Sequence, residues 1–245
     1  MKIGIIGNGR FGYLVATTLK SRTNEIVKIY SRGQEQDNIN FFSLNEVCSC
    51  DIIIPCVPIS EFEKVVKTIA SLLKPGSLII DVCSVKVHPE KVLLENISDG
   101  IDILSTHPMF GPDSTQNGTT FKNLKFIFWK TRIQNEERFN KIFNFLKSLG
   151  LEMLEIAPDE HDRQAAYTHA FAFLIGKVGI KIDVRRNDIS TKGFEGILYN
   201  QLAVENDTSQ LFNDMMTFNP YTKQMRQKVS QSLIEIEHDL NSKLL

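Results

Sequence analysis

The chain has 245 residues, 42% hydrophobic and 23% charged, the make-up of an ordinary folded protein and not of a disordered or fibrous one. Its 28 Lys and Arg nearly balance 29 Asp and Glu, so no global basic field exists to hold nucleic acid or a membrane surface. No apolar run approaches the ~20 residues of a membrane span, and the first residues read as strand and glycine turn, without signal or transit character. The four cysteines, Cys48, Cys50, Cys56 and Cys83, lack metal-site spacing and read as reduced thiols of a cytoplasmic protein.

Residues 3–6 form a short apolar run that passes directly into Gly7-Asn8-Gly9-Arg10-Phe11-Gly12. Val15 and Leu19 then recur at helical spacing, which predicts strand, glycine turn and helix in succession. A second strand over 26–30 ends at Ser31-Arg32. The near-continuous apolar run 51–57 predicts a parallel strand buried on both faces. Ser60, with Glu63 three residues on, predicts a capped helix that carries Val65, Val66, Ile69, Leu72 and Leu73 and stops at Pro75-Gly76. Strands over 78–82, 101–104 and 125–128 and a helix over 136–149, ended by Gly150, continue the alternation. Alternating strands and helices imply a doubly wound parallel sheet with helices on both faces.

After Pro158 the strand signal ceases. Pro158 suits a first helical turn, and Asp159 with Asp162 resembles a capping box with a shorter acid. This helix is expected to run to about Ile182, followed by helices over 191–205, over 208–216, and from Asn219-Pro220 to the C-terminus. The expected organisation is therefore α/β, a Rossmann domain over 1–157 and an all-α domain over 158–245. On the last helix Val229, Leu233, Ile236, Leu240 and Leu244 form an apolar stripe that either packs within the chain or meets a second copy.

Each glycine of the turn has a mechanical reason. Gly7 allows the tight turn, Gly9 lets the backbone approach a pyrophosphate, and Gly12 lets helix and strand pack closely. The free N–H groups at the helix start then face the anion. The end of the second strand discriminates between dinucleotides, because a carboxylate there accepts the ribose hydroxyls of NAD. Ser31-Arg32 instead offers a hydroxyl and a guanidinium suited to a 2′-phosphate, with Arg10 adding charge nearby, so NADP is expected. The plain alternative for Arg32 is a solvated loop residue.

Of five histidines, His88 before Pro89 and His238 between Glu237 and Asp239 read as surface residues. His107 follows a predicted strand at its C-terminal end, where open α/β sheets place their ligands. There an imidazole could take a proton from a hydroxyl while hydride leaves the same carbon, or simply pack in its loop. His161 and His169, eight residues apart on one helix, are not a helical zinc pair, and no metal is expected.

Three blocks resemble the prephenate/arogenate dehydrogenases of tyrosine biosynthesis. They are Asp81-Val82-Cys83-Ser84-Val85-Lys86, Thr106-His107-Pro108-Met109-Phe110-Gly111-Pro112-Asp113-Ser114, and Glu160-His161-Asp162-Arg163. Thr191-Lys192-Gly193-Phe194-Glu195 and the stretch 206–220 look closest to plant-type, NADP-dependent arogenate dehydrogenases, and Ser31-Arg32 fits that branch. The resemblance implies a homodimeric enzyme that oxidatively decarboxylates arogenate to tyrosine, with hydride passing from ring C4 to NADP. His107 would accept the C4 hydroxyl proton, and Ser84 would hold that hydroxyl or orient His107. Met109, Gly111, His169 and Lys192 would lie on the substrate side. Gly7, Asn8, Gly9, Arg10, Phe11, Gly12, Ser31 and Arg32 would hold the cofactor, with Cys56-Val57-Pro58 at its nicotinamide side and Lys86 architectural or close to it.

Two departures from the family pattern stand out. Phe173 occupies a position where members usually carry a histidine. Glu195 follows Gly193-Phe194 where prephenate-specific members tend to have an arginine. Both weigh against prephenate and leave the cation for the ring carboxylate open, with Lys192 and Arg163 as candidates by charge. Prephenate as substrate, giving 4-hydroxyphenylpyruvate, and an NADP-binding sensor or scaffold without turnover are the alternatives.

Overall fold

The structure, a computed structural model, describes residues 1–37 and 39–243. The chain divides into two compact units, Met1–Pro158 and Asp159–Leu245. The first is built on β1 (Lys2–Ile6), β2 (Ile26–Tyr30), β3 (Ile52–Pro55), β4 (Leu78–Asp81), β5 (Asp102–Pro108), β6 (Lys125–Arg132) and β7 (Glu152–Glu155). These form one sheet in the order β2-β1-β3-β4-β5-β6-β7. The helices are α1 (Arg10–Arg22), α2 (Leu44–Cys48), α3 (Ile59–Ile69), α4 (Val87–Asn96) and α5 (Glu136–Ser148).

The aliphatic runs predict these strands well, because β3 and β4 are buried at every position, as parallel strands covered on both faces must be. The sheet is not wholly parallel. β5 and β6 pair antiparallel, with His107 opposite Ile127 and Pro108 opposite Phe126. The connection 109–124 holds no crossover helix, so the chain turns back beside the strand it has just left. This pairing also lengthens β5 beyond its apolar run. Ser105, Thr106 and His107 are polar, yet they are 0%, 0% and 2% exposed because β6 covers them. His107 therefore sits inside a strand and not in the loop after it.

Local chemistry corrects other expectations. α3 starts at Ile59 with Pro58 at the cap position, so Ser60 lies within the first turn and does not cap it. Residues 87–96 form α4, which no expectation covered, and His88, expected at the surface, is half-buried in its first turn. Pro89 is tolerated there because the first-turn N–H it lacks would have had no helical partner. α2, only five residues long, is held by a capping box in which Ser43 Oγ accepts from the Glu46 N–H at 3.3 Å. Nothing in its apolar spacing announces it.

The sheet face beneath α1 and α5 carries the main core, where Ile3, Ile54, Leu78 and Leu104 meet Leu14 and Phe139. Phe128 packs on Phe139 and Phe143 with ring centroids 6.0 and 5.4 Å away. Truncation of a fully packed phenylalanine such as Phe139 costs about 3–5 kcal/mol. A cavity of about 330 Å³ remains on this face, with walls that are almost wholly aliphatic and aromatic.

The second unit is helical. The expected long helix is realised as α6 (Pro158–Ala165), a π-helical turn (Ala166–Ala170) and α7 (Phe171–Lys181). α8 (Lys192–Asn206) and α9 (Ser209–Phe218) are capped by Thr191 and Thr208, whose hydroxyls accept from Phe194 and Leu211 N–H groups. α10 spans Thr222–Ser242. Asp162 is buried, with its Oδ1 2.8 Å from His161 Nδ1. Ala170, Met216 and Met225 form a small core with Val229 packed against it. The rest of the α10 stripe is uncovered, with Leu233, Ile236 and Leu240 58%, 56% and 55% exposed. Leu244 lies outside the described residues.

Candidate active site

The glycine turn joins β1 to α1 at the C-terminal edge of the sheet. Gly7 has φ +104°, and a Cβ there would stand 2.2 Å from the Cys56 carbonyl oxygen. A Cβ on Gly12 would meet the Gly7 carbonyl oxygen at the same distance, so helix and strand approach as closely as backbone allows. Gly9 is different, because a Cβ there would meet nothing within 4 Å. The backbone at Gly9, just before α1, thus faces open space, and a helix start open at this point can cradle a pyrophosphate. Asn8 Oδ1 is buried beside this cradle and has no hydrogen-bond partner. An orphaned acceptor of this kind is costly unless a ligand donor reaches it, so these residues fit a dinucleotide.

Around the cradle, the expected cofactor residues fall into place unevenly. Ser31 is half-buried at the end of β2, and Arg32 projects into solvent with its side chain 75% exposed. Its guanidinium lies 3.6 Å from the Glu61 carboxylate, a neighbour that no sequence spacing signals. Arg10 is engaged by Asp113 at 2.7 Å, so its charge is partly spoken for. Phe11 packs into the core face of α1. Cys56, Val57 and Pro58 lead from β3 into α3, opposite Gly7. Burial pushes the Cys56 thiol up to about 12, so it serves as a wall and not as a nucleophile.

Lys86 lies in the interior of the first unit. It is 1% exposed and forms an ion pair with Asp81, which is 0% exposed. Its Nζ also donates to the Thr106 carbonyl oxygen at 2.5 Å. Asp81 accepts the Cys83 N–H at 2.8 Å, and Thr106 Oγ1 donates to the Asp81 carbonyl oxygen at 2.6 Å. Together these bonds hold the loop 82–86, with half-buried Ser84 in it, against the strand residue that precedes His107. The structure thereby brings Ser84 and His107 to the ends of adjacent strands, β4 and β5.

Beyond His107, Met109 and Gly111 are half-buried, and the Gly111 N–H donates to Ser114 Oγ at 3.0 Å. In the second unit, His169 lies in the π-helical turn, its ring edge-on to Phe173 with centroids 4.8 Å apart. Burial, and then the charge of His161, lower its pKa to about 4, so it is a neutral imidazole at physiological pH. π-turns of this kind are frequent at functional sites. Lys192 is exposed at the first position of α8. Arg163 is held by Asp159 at 2.8 Å and Glu160 at 3.1 Å, so its charge is already compensated. Among the described residues, no group of three His, Cys, Asp or Glu side chains could hold a metal ion.

Residues 13–155 match the family described as prephenate dehydrogenase, nucleotide-binding domain. Residues 179–245 match the one described as TYRAAT1-like, C-terminal domain. Arogenate dehydrogenase 1, chloroplastic, of Arabidopsis thaliana is 32% identical across 90% of this chain and 36% of its own length. Arogenate dehydrogenase 2, chloroplastic, of the same plant is 27% identical across 100% of this chain and 71% of its own. The chain thus spans little more than a third of the first of these relatives. The fold resembles the crystal structure of prephenate dehydrogenase from A. aeolicus in complex with hydroxyphenyl propionate and NAD+, with TM-score 0.74, 14% identity and coverage of 99% and 91% of the two chains. With residues 13–155, more than half of the chain, matched to one description, and a plant relative 32% identical over 90% of this chain, the chain belongs to the prephenate dehydrogenase family.

Proposed function

We propose that this chain catalyses the NADP-dependent oxidative decarboxylation of L-arogenate to L-tyrosine. The observation that carries this is the Asp81–Lys86–Thr106 clamp, which gathers Ser84 and His107 at the sheet edge that also carries the open glycine cradle. The names of the two plant relatives favour arogenate over prephenate. A bound nicotinamide cofactor supplies the hydride acceptor. This chain's own residues do the rest.

As hydride leaves ring C4, positive charge builds on the C4 hydroxyl, and His107 takes its proton while Ser84 orients the pair. The electron pair of the bond to the departing carboxylate then completes the aromatic ring, CO2 leaves, and the phenol oxygen regains a proton. Because aromatisation drives the step, alignment and one proton acceptor suffice. Placing His107 on a paired strand serves that need, since a strand holds a side chain more firmly than a loop. By the family resemblance, His169 and Lys192 of the helical domain 158–245 are the candidates on the substrate side, Lys192 for the ring carboxylate because Arg163 is compensated.

The uncovered stripe of α10 supports a homodimer formed through the helical unit. Four free cysteines fit a reducing compartment such as the cytoplasm. Steady-state reduction of NADP+ with arogenate, and separately with prephenate, tests the activity. Faster turnover of arogenate is expected, and absence of reduction with either substrate would overturn the proposal.

A further inference from the structure

We propose that Glu61 sets how strongly this chain distinguishes a 2′-phosphorylated dinucleotide from an unphosphorylated one, by competing with the phosphate for Arg32. The inference rests on the glycine turn being a dinucleotide site. The strand end that chooses between cofactors carries a cation here, but a carboxylate stands beside it, brought in from α3. Arg32 Nη2 and Glu61 Oε2 are 3.6 Å apart, too far for a hydrogen bond and close enough for an ion pair. With Arg32 75% and Glu61 34% exposed, the pair is loosely held and open to an incoming anion.

Glu61 cannot move away with its helix. Ile59 and Phe62, on either side of it, are 3% and 0% exposed, and its N–H donates to the Pro58 carbonyl oxygen at 3.0 Å. The helix is thus pinned at its start, and only the side chain is free to turn. A 2′-phosphate must take Arg32 from Glu61 and then sit near the displaced carboxylate, two penalties that an unphosphorylated ribose avoids. The ribose hydroxyls can instead donate to a carboxylate, the role an acidic residue plays at the strand end in NAD-binding sites. Glu61 therefore opposes the phosphorylated ligand and tolerates or favours the other, and it holds the preference below what Arg32 alone would give.

Calorimetric titration of the full chain with adenosine 2′,5′-bisphosphate and with 5′-AMP tests this without turnover. Glu61→Gln should tighten the bisphosphate three- to tenfold at low salt, with 5′-AMP unchanged or weaker. Raising salt should shrink the gain, because the charges are exposed. In an Arg32→Ala background the gain should fall to less than half, since the contested cation is gone. If the natural chain binds both probes and Glu61→Gln leaves their ratio unchanged, or weakens the bisphosphate, the role of Glu61 is refuted while the dinucleotide site stands. If the natural chain binds neither probe, the dinucleotide site itself fails and this inference falls with it.

Discussion

The Lys86 ammonium donates to the Thr106 carbonyl oxygen at 2.5 Å, tying the loop that carries Ser84 to the strand that carries His107. Lys86 and its counter-ion Asp81 are both fully buried, so the pair is a structural commitment and not a surface ornament. Removing one partner from such a pair leaves an uncompensated charge in the interior. Lys86→Met should therefore lower unfolding free energy by about 3–5 kcal/mol in urea denaturation. Asp81→Asn combined with Lys86→Met should recover part of that loss. Unchanged stability of Lys86→Met would refute the clamp.

His107→Asn keeps the strand and a hydrogen-bonding group but removes the base. A fall in kcat of roughly 10²–10⁴ is expected, with little change in cofactor affinity measured by titration. Near-full activity of this variant would show that the proton goes elsewhere.

Cofactor choice should depend on Arg32. A charge-assisted contact to phosphate is worth about 1.5–3 kcal/mol, so NADP should be preferred over NAD by at least about tenfold in kcat/KM. Arg32→Ala should erase most of that preference. Equal use of both cofactors by the natural chain would contradict the assignment.

His169 titrates near 4 instead of 6.5, because burial and then the charge of His161 disfavour its cation. As pH falls, the unfolded chain takes up this proton first. The stability that its neutral form contributes is complete above pH 6.5 and drains away between 6.5 and 4, in total about 3 kcal/mol. Denaturation midpoints across this range should fall, and His169→Gln should flatten the slope there. A natural chain equally stable at pH 4 and pH 7 would rule this out.

The α10 stripe offers a test of assembly that leaves each unit's core alone. Met225, 1% exposed, belongs to the helical core, so deletion from that point would unfold the unit whatever its partner. Leu233→Asp and Ile236→Asp change only exposed positions. They should convert dimers to monomers in sedimentation at micromolar concentration, whereas a natural chain that already sediments as a monomer would sink the dimer.

Much of the first unit is legible in the amino-acid sequence. Aliphatic runs bounded by glycine and proline mark the parallel strands because burial on both faces tolerates little else, and the glycine turn declares itself through backbone demands that other residues cannot meet. The elements that escape such reading lack a local apolar signal. Ser105, Thr106 and His107 are polar, and only the antiparallel partner β6 makes them strand. α2 is too short for helical periodicity, β7 is a half-exposed edge, and Pro89 disguises the first turn of α4.

For the site, the residue types are visible in the sequence and their relationships are not. Local sequence, through steric and hydrogen-bonding rules that act over a few residues, determined the cradle of Gly7, Gly9 and Gly12, the caps at Thr191 and Thr208, and the block that holds Ser84. Tertiary structure decided what Lys86, Arg32 and Arg10 do, because each is a cation whose role depends on which anion reaches it. Asp81 claims the first from within the interior, Glu61 stands beside the second from α3, and Asp113 meets the third from a loop 103 residues away. Charge acts through space, and spacing along the chain does not record it.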